Sequence, residues 1–138
     1  MTVVLLPSLS MAAPKTEKEK CAELQSLSEK NTQTVKSYED FLVDYPKMNL
    51  SEKNEVLTGT MQRVYLRLRA IEKLTGIKAD AAVMQKSGDI LNDVVVGDVY
   101  TEEQAAEKMK AQIGPLNEQM SSVLRQYQTS EAFKKCNP

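Results

Sequence analysis

The chain contains no histidine. That absence removes His-ligated haem, the usual zinc sites and every catalytic triad or dyad built on imidazole. Tryptophan is missing too, and aromatic residues make up only 5% of the sequence. Glycine and proline number five each. Val94–Val96 is the only strand-like run beyond the N-terminal segment, so an all-helical chain fits better than a sandwich or barrel. Charge of neither sign prevails, since 18 basic residues stand against 19 acidic ones for a net charge of −1. A dedicated nucleic-acid binder usually carries a basic excess, which counts against that class. No Gly-rich phosphate loop, paired-carboxylate motif or nucleophile motif is present. The expectation is a protein without enzyme activity, cofactor or bound metal.

What is there suits one globular domain. The chain has 138 residues, 41% hydrophobic and 27% charged, enough for a single core without metal support. Its organising stretch runs from Thr101 to Cys136. Ala106, Met109, Ile113, Leu116, Met120, Val123 and Tyr127 recur at alternating steps of three and four, the buried seam of a long amphipathic helix. Thr101 with Gln104 forms a capping box at its start.

Three further helices are expected before it. The first spans about Thr16 to Tyr45, with Leu24, Leu27, Asn31, Thr34, Tyr38, Phe41 and Tyr45 on one stripe, widened by Val35 and Leu42. Asn31 and Thr34 make a polar layer in mid-seam that fixes register or reaches a neighbour's side chain. Pro46 stops this helix, because the residue before a proline is pushed out of helical angles. The second begins after Asn49 or Ser51, both suitable caps, and carries Leu57, Met61, Val64, Leu68 and Ile71. Gly76 ends it in a left-handed turn, with Ile77 as hydrophobic follower. The third, from about Ala79 to Val96, places Val83, Ile90, Leu91, Val94 and Val95 on a stripe. Gly88 interrupts it and its valines favour strand, yet the spacing fits a period of 3.6 and no partner strand is visible.

Gly114-Pro115 falls inside the last helix. A proline in a helix interior loses a backbone hydrogen bond and costs about 3 kcal/mol, so the choice lies between a kinked helix and two helices with a turn between them. The apolar register passes from Ile113 to Leu116 to Met120 without a slip. The cysteines supply a second argument. Cys21 and Cys136, one at each end of the helical region, read as one structural disulfide. Such a bond spans only about 6 Å between α-carbons. Four antiparallel helices return the chain to its starting end, whereas five leave it at the far end. The expected fold is therefore all-α: an antiparallel up-down-up-down four-helix bundle over residues 14–138, with a kinked last helix and a disulfide joining the chain ends.

Residues 1–13, MTVVLLPSLSMAA, are uncharged and apolar up to a sharp switch at Pro14-Lys15. Ser10 and Ala12 occupy the small-x-small positions of a signal peptide cut after Ala12. No basic residue precedes the apolar run and Pro7 interrupts it, features of a start assigned too far downstream. The alternatives are a disordered tail or an N-terminal piece of core. The segment is too short to span a bilayer. Cys21 follows Lys18-Glu19-Lys20 rather than the small apolar residues of a lipidation signal. The expected location is the periplasm or outside the cell.

Two charged groups are candidate contacts for a protein partner. Arg63 and Arg67 lie on one flank of the second helix's seam, Arg69 and Lys73 on the other. Read plainly, they form a solvated face with their stems over the core edge; the sharper reading is an anion or an acidic partner. Asp89, Asp93, Asp98, Glu102 and Glu103 gather around the turn before the last helix. Asp89 and Asp93 repel slightly at a spacing of four, and Glu102 and Glu103 suit a helix N-terminus. Calcium-loop spacing is absent, so a basic protein surface is the expected partner of that turn.

The stretch Gly97 to Lys110, GDVYTEEQAAEKMK, resembles the turn and last-helix opening of cytochrome b562-type bundles, which are periplasmic four-helix proteins. The resemblance covers about a tenth of the chain and implies the bundle layout. Haem in that family is held by a methionine near the start of helix one and a histidine near the end of helix four. Here Leu124 to Gln128 offers no histidine and helix one no methionine, so haem binding does not carry over. Small exported helical proteins with one disulfide also include immunity proteins and chaperone-like adaptors, an analogy of fold alone. The function expected is a non-enzymatic exported protein-binding module, an inhibitor, immunity protein or adaptor, monomeric or homodimeric. A small-ligand or cofactor carrier and a self-associating structural subunit are the alternatives.

Overall fold

The computed structural model describes residues 14–138, all of whose regular structure is helical. The expected signal peptide falls in residues 1–13, outside the described residues. Helix α1 spans Glu17–Asp44, followed by a 3-10 turn at Tyr45–Lys47. Helices α2 (Leu50–Thr75), α3 (Ala81–Val96), α4 (Glu102–Gln128) and α5 (Glu131–Cys136) complete the chain.

Local chemistry sets each boundary. Thr16 and Glu19 cap α1 reciprocally: the Glu19 amide donates to Thr16 Oγ1 at 3.1 Å and the Thr16 amide to Glu19 Oε1 at 2.9 Å. Asn49, not Ser51, caps α2, exchanging the same pair of bonds with Glu52. Gly76 ends α2 and Gly97 ends α3, both at positive φ (79° and 86°), where a β-carbon would be strained. Pro46 sits inside the 3-10 turn, so α-helical geometry ends at Asp44.

The core lies on α2 and α4. The five buried residues of α2 are Leu57, Met61, Val64, Leu68 and Ile71, the expected seam. Helix α4 buries Ala106, Met109, Ile113, Leu116, Met120, Val123 and Tyr127 as the spacing requires, and Ala105, Gln112 and Leu124 besides. These two helices share the largest interface, and α1 and α3 each pack against both. The Val94–Val96 run is helical, because Ile90 and Leu91 need burial on the same face. Val95, placed on the buried stripe by its spacing, is instead 67% exposed. No neighbouring helix covers α3 at that position.

Helix α4 continues through Gly114 and Pro115 as one element. The long helix expected from Thr101 to Cys136 is nonetheless two helices, since α4 stops at Gln128. The Thr129 hydroxyl donates back to the carbonyls of Arg125 and Gln126, and that of Ser130 to Tyr127. These bonds compete with the helix ladder. Ser130 Oγ then accepts from the Phe133 amide at 3.2 Å and starts α5. Phe133 turns its ring edge-on to Tyr127, centroids 5.5 Å apart. A six-residue helix is only about 9 Å long, too short to carry the chain to the far end. Cys21 and Cys136 are disulfide-bonded, with α-carbons 5.4 Å apart.

Candidate functional site

The acidic turn is built by the end of α3 and the opening of α4. Gly97 breaks α3, and Thr101 caps α4 with Gln104 as its reciprocal partner. Between them the Tyr100 hydroxyl donates to Asp93 Oδ2 at 3.3 Å. Burial, then the charge of Asp93, holds the Tyr100 phenol above its ordinary pKa, so it stays a donor. Asn54 of α2 donates to the Glu102 carbonyl at 3.1 Å, while its own Oδ1 is buried with no partner among the described residues. A cleft of about 360 Å³ results, with Asp93, Glu102, Tyr100 and Asn54 in its walls.

The structure thus brings Asp93 and Glu102 together and leaves the other candidates apart. Asp89 is engaged by Gln85 on its own helix. Asp98 and Glu103 are exposed and do not line the cleft. Among the described residues no group of three acidic or cysteine side chains is placed to hold a metal ion. Val95, Val96 and Val99, close in sequence to Asp93 and Asp98, are each more than half exposed. Sequence reading missed that exposure, because Val95 fitted the core stripe.

The basic candidates divide by flank, as their spacing indicates. Arg69 turns toward α3, its guanidinium 5.8 Å from the Tyr65 ring centre and bonded to the Tyr65 hydroxyl. Gly88 of α3 admits that ring, since a β-carbon there would lie 3.0 Å from the hydroxyl. Lys73 is exposed in the last turn of α2, close to the negative end of its dipole. Arg63 and Arg67 face α1. Arg67 donates to Thr34 Oγ1 at 2.9 Å and Arg63 to Thr60 Oγ1 at 3.3 Å. Burial, then the charge of Arg63, disfavours the charged form of Arg67. The ion pairs among the described residues are Lys15–Glu23, Lys20–Glu17 and Lys134–Glu131, so no carboxylate there neutralises these arginines.

Two polar layers cross the packed interior, and they differ. Gln112 of α4 donates to Ser87 Oγ at 2.9 Å and to the Val83 carbonyl at 3.2 Å, knitting α4 to α3. Asn31 of α1 is fully buried, yet neither end of its amide has a partner among the described residues. Its place in the seam was legible, but its lack of a partner was not.

Comparison with protein-family models, with curated proteins and with solved structures finds no match. Among the described residues no helix is long and apolar enough to cross a membrane.

Proposed function

We propose that this chain is a non-enzymatic, exported protein-binding module, an inhibitor, immunity protein or adaptor of the periplasm. It captures a partner with a basic surface at the turn between α3 and α4. The observation that carries this reading is the set Val95, Val96 and Val99, at 67%, 58% and 52% exposure, close in sequence to Asp93, Asp98, Glu102 and Glu103. Apolar side chains in solvent with a charged rim are the usual composition of a recognition surface. The rim gives sign selection and the valines give buried area.

The proposed frame is an up-down-up-down bundle of α1 to α4, similar in layout to cytochrome b562-type proteins, with α4 bent at Pro115. Support comes from the connections, residues 45–49, 76–80 and 97–101, which suit antiparallel neighbours. Export is supported by the disulfide, since such bonds persist in oxidising compartments. Leu57, Met61, Met109, Leu116 and Met120 fill the interior, which favours an external binding role over a haem carrier.

Affinity capture from the source cell envelope tests the reading. The unaltered protein should retain one basic partner, and the Asp98→Lys/Glu102→Lys variant should lose it by at least tenfold. Equal capture by both would remove the turn from the proposal. Mass spectrometry of unreduced protein from the envelope should show a chain beginning at Ala13 with no free thiol.

A further inference from the structure

Between α1, α2 and α4 lies a second cleft, on the face away from α3's Tyr65 contact. Tyr38 comes from α1, Thr60 and Arg63 from α2, and Asn117 from α4. Its volume of about 100 Å³ is well below the ~300–1,000 Å³ of sites that enclose a whole small molecule. It has room for one functional group.

The chemistry of the lining specifies that group. The Tyr38 hydroxyl and the Asn117 amide have no hydrogen-bond partner among the described residues, and Thr60 there only accepts, from Arg63. Burial, then the charge of Glu118, keeps the Tyr38 phenol protonated. Two glycines make room for these donors. A β-carbon on Gly59 would come within 3.2 Å of Arg63 Nη1, and one on Gly114 within 3.2 Å of the Tyr38 hydroxyl. Arg67 stands one turn from Arg63 and reaches Thr34, which also lines the cleft. The Arg63 guanidinium, without a carboxylate partner, and three unused donors on three helices line one small space, with Arg67 one turn away at its edge.

We infer that this cleft is a binding site for a single oxyanion, a carboxylate or a phosphate group, held by Arg63 with Tyr38, Thr60 and Asn117. Charge-assisted bonds from a guanidinium fork to such a group are among the strongest available to side chains. An anion there also relieves the repulsion between Arg63 and Arg67. The site does not depend on the protein-binding reading, because it uses none of the residues of the acidic turn.

NMR titration of the oxidised protein tests it, following the arginine side-chain N–H and the Thr60 and Asn117 signals. Inorganic phosphate and acetate serve as separate probes. Saturable shifts confined to these residues are expected with at least one probe, and which probe binds identifies the group. Arg63→Gln should weaken binding about tenfold or more. Tyr38→Phe, which keeps the ring in place, should weaken it several-fold, and Arg69→Gln on the opposite flank should leave it unchanged. Absence of saturation with both probes, or equal losses in Arg63→Gln and Arg69→Gln, would overturn the inference.

Discussion

Helices α1 and α4 have nearly the same length, 28 and 27 residues, and opposite ways of staying in place. Helix α4 buries ten side chains, whereas α1 buries Leu24 and Asn31. The rest of α1's contribution, Leu27, Val35, Tyr38 and Phe41, is only partly covered. Hydrophobic stabilisation scales with apolar area removed from water, so α4 is held by burial alone and α1 by a smaller buried surface together with its bond to Cys136. A fold can therefore be uneven: α2 and α4 carry most of the core, and α1 and α3 pack against both with less of their surface buried.

The largest way to break this comparison is to cut the bond. In the chain-entropy account, closing a loop of this size contributes about 4–5 kcal/mol. A Cys21→Ser/Cys136→Ser variant should lose up to that much. Amide exchange should accelerate in α1 while α2 and α4 stay protected; uniform acceleration would show that α1 is integral to the core.

Truncation in the two helices should differ next. Leu116 is fully buried, so Leu116→Ala should cost about 2–5 kcal/mol. Leu27→Ala, on partly covered surface, should cost less than about 1.5 kcal/mol by denaturant unfolding. Equal values would erase the distinction.

The polar layers sharpen the comparison further. Gln112→Leu strands the Ser87 hydroxyl in the α3–α4 interface and should cost about 1–3 kcal/mol. Asn31→Leu removes an amide that already lacks partners, and should leave stability unchanged or raise it by about 1 kcal/mol. A loss at Asn31 comparable to that at Gln112 would mean its amide is satisfied in solution.

The smallest effect concerns pH. The backbone and side-chain bonds of Thr16 hold the Glu19 carboxyl below its ordinary 4.5. Its folded pKa is depressed, so its capping contribution is complete above 4.5 and is lost as pH falls through the lowered value. Acid titration should fray the first turn of α1 before α4, whose cap uses the uncharged Gln104. The Glu19→Gln variant, which keeps the acceptor for the Thr16 amide but cannot titrate, should abolish that difference.

Much of this was legible in the sequence. The seams of α2 and α4 follow from periodicity, because only one face of each helix is covered. The disulfide follows from there being two cysteines at the ends of the helical region. The break at Thr129-Ser130 was not read, since the apolar seam ending at Tyr127 says nothing of hydroxyls just beyond it that bond back to the ladder. The exposure of Val95 was not read either, because a period of 3.6 says which face a residue occupies but not how far the neighbouring helix reaches. The Tyr38–Arg63–Asn117 cleft needed three helices to be placed, and no spacing within one helix reports it. Asn31 was identified as a polar layer, but its want of partners is a tertiary fact.

The 5.4 Å between the α-carbons of Cys21 and Cys136 has one more consequence. Residues so close can be joined through the backbone by a short glycine linker instead of through sulfur. The chain could then be reopened elsewhere, at the exposed turn of Gly97 and Asp98 for instance, as a circular permutant. Such a molecule would keep α1 beside its neighbours in a reducing cytoplasm, where the natural arrangement would lose its clasp.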